Sequence, residues 1–68
     1  ERQGLSLVTR REMEVLSLIA RGATNSEIAA EMVIAETTVK THVSSLMSKL
    51  AARDRVALVL VAQRAGIA

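Results

Sequence analysis

Apolar residues recur at helical spacing along most of the chain, and no stretch alternates apolar and polar residues in the manner of a strand. Start and stop signals divide this pattern into predicted helices over about residues 9–21, 24–32, 36–50 and 54–65. We therefore predict an all-α protein, a compact four-helix helix-turn-helix domain. Residues 1–7 lack a helical stripe and are interpreted as a linker remnant, and residues 8–68 as the domain.

Helix boundaries are marked by local signals. Thr9 to Glu12 and Thr24 to Glu27 both have the S/T-x-x-E spacing of a capping box, in which hydroxyl and carboxylate satisfy free backbone N–H groups. Gly22 is predicted to end the first helix, and Asp54 to cap the start of the fourth. The third helix begins after Ala35, which is a poor cap, so this start is weak.

The predicted helix 36–50 has two different faces. Its apolar face carries Val39, Val43, Leu46 and Leu50, and its polar face carries Thr37, Lys40, Thr41 and Ser44. Short hydroxyl side chains around one lysine suit a surface that another molecule approaches closely, although a solvated helix face is the simpler interpretation. With helix 24–32 the segment has the length of a helix-turn-helix, and a plain helical hairpin would have the same pattern.

Composition excludes several classes of protein. The chain has 68 residues, no Cys and one His, and it lacks a glycine-rich phosphate loop, a nucleophile motif or a metal-binding cluster. We therefore expect no enzyme activity, no cofactor and no metal. Without Phe, Tyr or Trp, single-stranded nucleic acid is a poor candidate ligand, and the net charge of +2 permits a polyanionic partner. The longest apolar run, Val56 to Ala62, is shorter than the roughly 20 residues of a membrane span.

The fourth predicted helix is too apolar for one buried stripe, because its Val and Leu side chains cover more than half of its circumference. Part of this surface is expected to face outwards, and an exposed aliphatic patch on a small protein indicates a contact surface. The alternative is that Leu5 to Val8 fold back over the patch.

Four motifs together carry a family resemblance: TRREMEVL from Thr9, ARG from Ala20, NSEIA from Asn25 and TVKTHV…KL from Thr38. They resemble the LuxR-type helix-turn-helix family over roughly residues 8–66. The resemblance implies a cytoplasmic, sequence-specific double-stranded DNA-binding domain, the output domain of a bacterial transcriptional regulator controlled by an upstream sensory or receiver module. The alternatives are a sigma-factor-like promoter-reading domain, which usually lacks a self-pairing fourth helix, and a helical protein-interaction module without DNA binding.

The resemblance also implies site residues. Helix 36–50 would be the recognition helix in the major groove, and its base-contacting residues would be Thr37, Lys40, Thr41 and Ser44. Phosphate contacts would come from Asn25, Ser26, Thr38, Lys49 and Arg55, although Thr38 could be only a cap and Lys49 only a surface charge. A homodimer would form through the fourth helix, with an interface of Val56, Val59, Leu60 and Gln63.

Overall fold

The computed structural model describes residues 2–67, with side chains from residue 4 onwards. Its secondary structure consists of helices, and no strand occurs in residues 2–67, so the prediction of an all-α domain is confirmed. The helices are α1 (Arg2–Ser6), α2 (Arg10–Ala20), α3 (Asn25–Met32), α4 (Glu36–Lys49) and α5 (Arg55–Arg64). Within the described residues, no helix has the combination of length and apolar character that crossing a membrane requires.

The core is built around α2. This helix packs against both α4 and α5, and α3 packs against α4. Burying one aliphatic side chain contributes about 1.5–3 kcal/mol to the stability of the fold. The apolar face predicted for α4 is the side of that helix that packs in the core. The largest fully buried side chains are Val15, Leu16, Ile19, Ile28, Val39, Leu46 and Leu58.

The predicted caps are confirmed. The Thr9 hydroxyl accepts from the Glu12 N–H at 3.2 Å, and the Thr9 N–H donates to the Glu12 carboxylate at 3.0 Å. Thr24 and Glu27 form the same box at the start of α3. The Asp54 carboxylate accepts from the Ala57 N–H at 2.8 Å at the start of α5. These bonds fix where α2, α3 and α5 begin.

Helix α1 occupies most of the segment that the sequence analysis assigned to a linker. Gly4 lies so close to the end of α4 that a Cβ atom there would be 2.7 Å from the Lys49 carbonyl oxygen. Leu5 and Val8 pack against the core. Five residues are too few to show a helical stripe, so the pattern did not predict this helix. The boundary between linker and domain stays a prediction, and Glu1 and Ala68 lie outside the described residues.

The turn between α3 and α4 contains a residue in the left-handed region. Val33 has φ 56° and ψ 52°, and its side chain is 88% exposed. The Ile34 N–H donates to the Ala29 carbonyl at 3.0 Å, and the Val33 N–H to the Ala30 carbonyl at 3.4 Å, which is the Schellman arrangement that ends many helices. A β-branched residue in this conformation is strained, so the turn relies on these bonds and on Ile34, which packs against the core.

Candidate nucleic-acid interface

The polar strip of α4 consists of Thr37, Lys40, Thr41 and Ser44, and all these residues are exposed. The opposite side of the helix is held in the core by Val39, Val43 and Leu46. With 14 residues α4 is about 21 Å long, and the strip lies along its exposed side. The fold therefore leaves this surface accessible to a large partner.

Side chains of the polar strip keep hydrogen-bonding capacity for a ligand. The Thr41 hydroxyl donates to the Thr37 carbonyl at 3.1 Å, so its oxygen can still accept a hydrogen bond from a ligand. Lys40 forms no ion pair with any residue from 2 to 67. Its ammonium group is consequently available to an acceptor outside the protein.

Glu12 is the buried link between α2 and α4. Its carboxylate accepts from the Lys49 ammonium at 2.7 Å and from the Ser45 hydroxyl at 2.5 Å, besides its bond to the Thr9 N–H. The side chains of Lys49 and Glu12 are 28% and 8% exposed. The bonds from Lys49, Ser45 and Thr9 lower the pKa of Glu12 from an ordinary 4.5 to about 2. The carboxylate therefore stays charged and fixes the carboxyl-terminal half of α4.

This network changes the interpretation of Lys49, which the sequence analysis assigned to a phosphate. The Lys49 ammonium group forms an ion pair with the Glu12 carboxylate, which balances its charge. The sequence pattern explains Glu12 by helix capping alone and gives Ser45 no role. The available signal was the spacing of Ser45 and Lys49, because residues four apart lie on the same side of a helix.

Two other predicted phosphate contacts are brought together at the start of α3. The Arg55 guanidinium donates from Nη1 to Asn25 Oδ1 at 2.7 Å and from Nη2 to the Ala23 carbonyl at 2.7 Å. Ser26 is exposed in the first turn of α3, and Thr38 is exposed in the first turn of α4. The bond between Arg55 and Asn25 was not predicted, since the two residues are 30 positions apart.

Helix α5 exposes part of its apolar surface, as its composition predicted. Val56 is 68% and Leu60 45% exposed, whereas Leu58 and Ala62 are buried. Val59 is half-buried and Gln63 is exposed. Leu5 and Val8 pack against the core, yet they leave Val56 and Leu60 uncovered. Leu5 to Val8 therefore do not fold back over this patch.

Comparison with known proteins identifies the family. The model described as "Bacterial regulatory proteins, luxR family" matches residues 6–62. The chain belongs to this family. It is a helix-turn-helix domain of DNA-binding regulatory proteins, and the family resemblance drawn from the four motifs is confirmed.

Individual relatives agree with this assignment. The chain is 50% identical over 62 residues to an uncharacterized transcriptional regulatory protein, YhcZ, of Bacillus subtilis, covering 91% of this chain and 29% of that protein. It is 52% identical over 56 residues to the response regulator protein VraR of Staphylococcus aureus and of Staphylococcus epidermidis, covering 82% of this chain and 27% of those proteins. This luxR-family chain thus spans less than a third of the length of these relatives.

Proposed function

We propose that this luxR-family domain binds double-stranded DNA in a sequence-specific manner, with α4 in the major groove, as the output domain of a bacterial transcriptional regulator. The observation that carries the proposal is the exposed polar strip on a helix whose other side is fixed in the core. The major groove is about 12 Å wide and admits an α-helix. A solvated face without a ligand would not need short hydroxyl side chains.

The strip offers complementary chemistry for base edges. Lys40 can donate to guanine O6 and N7, and it has no ion pair among the described residues that would compete. Thr41 can accept a hydrogen bond or place its methyl group against the methyl group of thymine, and Ser44 can bond to either base type. Thr37 extends the same surface towards the start of α4.

Backbone contacts are proposed at the two helix starts beside the strip. Asn25 and Ser26 lie in the first turn of α3, and Thr38 lies in the first turn of α4. Free N–H groups and the helix dipole favour phosphate at such positions. Lys49 is assigned instead to anchoring α4, because Glu12 already holds its ammonium group.

The module that regulates DNA binding is proposed to precede this domain. One relative is named a transcriptional regulatory protein and another a response regulator protein, and both are more than three times as long as the matched region. We propose a receiver or other sensory module that controls the DNA-binding domain. The name of the response regulator favours a receiver.

The most direct test of DNA binding is fluorescence anisotropy with a labelled duplex. The chain should bind, and the logarithm of the association constant should fall with the logarithm of salt concentration by about 0.9 for each phosphate neutralised. A labelled single strand of the same sequence should bind more weakly, since the domain has no aromatic side chain on which bases could stack. Unchanged anisotropy at low salt, with a correctly folded protein, would refute the proposal and leave a protein-interaction module as the explanation.

The exposed patch of α5 is proposed to pair two copies of the domain. Val56, Val59, Leu60 and Gln63 would meet their equivalents across a two-fold axis, and the two α4 helices would then read half-sites about one turn of DNA apart. Such pairing removes the exposed apolar surface from water.

Leu60→Glu is expected to weaken this pairing, because each copy would bring a negative charge into the apolar contact between the two α5 helices. Sedimentation equilibrium at high protein concentration should show the parent as a dimer and the variant as a monomer. The association constant of the variant should be at least tenfold lower than that of the parent. Leu7→Glu is a matched control, since Leu7 is 61% exposed and lies outside α5. If Leu60→Glu and the more exposed Val56→Glu both keep the parent's mass distribution, α5 does not mediate self-association.

A further inference from the structure

Arg55 connects α5 to the start of α3 by two hydrogen bonds. Its guanidinium donates to Asn25 Oδ1 and to the Ala23 carbonyl oxygen, each at 2.7 Å. Capping does not require these bonds, because Thr24 and Glu27 already form the capping box of α3. No carboxylate pairs with Arg55 among residues 2–67. Arg55 therefore holds the short segment at the start of α3 against α5.

This contact determines which way the Asn25 amide is presented. A guanidinium group has only donors, so the atom of Asn25 that faces it must be the carbonyl oxygen. The Nδ2 amino group, with its two N–H donors, is then the end of the side chain left for an external ligand. A phosphate has only acceptor oxygens, so the opposite orientation would place oxygen against oxygen.

We propose that Arg55 is a positioning residue of the DNA interface, which holds Asn25 so that its Nδ2 N–H groups bind a backbone phosphate. The inference rests on the proposed DNA binding and changes the role predicted for Arg55, from a direct phosphate contact to one exerted through Asn25. Phosphate contacts carry no sequence information, so they affect binding to every duplex and can be measured without a known operator.

A double-mutant cycle tests this role with a pool of mixed-sequence 30-base-pair duplexes as the probe. Arg55→Lys keeps the charge but cannot bridge two acceptors in a fixed fork. Arg55→Lys and Asn25→Ala are each expected to weaken binding about tenfold, the range expected for one hydrogen bond to a charged group. Adding Arg55→Lys to Asn25→Ala should have no further effect. Multiplied losses in the double variant, or parent affinity in Arg55→Lys, would overturn the proposal.

A second variant separates positioning from a loss of fold. Asn25→Asp gives Arg55 a charged partner and adds an acid to the first turn of α3, so the melting temperature should rise by a few degrees. Duplex affinity should nevertheless fall at least tenfold, because the N–H donors are gone. Leu7→Asp adds the same charge on the loop after α1 and should change affinity less than threefold. If Asn25→Asp binds as well as this control, Asn25 is not a phosphate contact and the proposal fails.

The parent chain distinguishes the two levels of the hypothesis. Absence of salt-dependent duplex binding by the parent would refute DNA binding itself. If the parent binds DNA and the losses of the two single variants multiply in the double variant, only the positioning role is refuted.

Discussion

Glu12→Gln is expected to lower the free energy of unfolding by about 2 to 3 kcal/mol at pH 7. This is a large part of the total free energy of unfolding of a 68-residue domain. The glutamine would leave the Lys49 ammonium without its counter-charge and weaken the bond from Ser45. Both partners are on α4, so the loss also loosens the carboxyl-terminal half of that helix. Urea unfolding followed by circular dichroism measures the effect.

The pH dependence has a defined sign. The pKa of Glu12 is lowered to about 2 in the folded chain, so the unfolded chain binds this proton more readily. The stabilisation is complete above about pH 5 and is lost as the pH falls from there towards 2. The parent should therefore lose much more stability between pH 7 and pH 3 than Glu12→Gln does.

Glu27→Gln is a matched control for this prediction. Glu27 has the same capping-box role at the start of α3, but it is exposed and has no hydrogen bond to α4. We expect Glu27→Gln to cost about 1 kcal/mol or less, with a pH profile close to that of the parent. Equal losses in both variants would mean that Glu12 acts only as a cap and that the link to α4 contributes little.

Lys40→Ala is expected to weaken binding to the preferred duplex by about 1 to 3 kcal/mol, which is roughly five- to 150-fold. Lys40 is exposed and forms no ion pair among the described residues, so circular dichroism and thermal unfolding should not change. A duplex obtained by selection from a random pool supplies the preferred site. Binding is then compared on that duplex and on variants in which single guanines are replaced.

The control for Lys40→Ala is Arg10→Ala, which removes one positive charge from the exposed start of α2. It should weaken binding to all duplexes slightly and equally. If Lys40→Ala also weakens binding equally on preferred and substituted duplexes, Lys40 binds a phosphate and reads no base.

Local features of the fold followed from the sequence. Thr9, Thr24 and Asp54 mark helix starts through bonds to residues three positions away, so a short segment contains the whole signal. The two faces of α4 followed from spacing alone. That α5 exposes part of its apolar surface followed from its composition, because it has more apolar side chains than one buried stripe can hold.

Long-range contacts did not follow from the sequence. Glu12 meets Ser45 and Lys49 from 33 and 37 positions away, and only the packing of α2 on α4 brings them together. Lys49 was consequently assigned to phosphate on charge alone. Likewise, nothing in the sequence indicates that Val33 adopts the left-handed conformation, which a glycine usually occupies at a helix end.

The claim that α4 lies in the major groove is tested most directly with a duplex whose major groove is blocked. In such a duplex every cytosine carries a glucosylated 5-hydroxymethyl group, which fills the major groove and leaves the minor groove open. Our account predicts that anisotropy titrations will give at least tenfold weaker binding than to the unmodified duplex of the same sequence. Equal affinity for the two duplexes would contradict it.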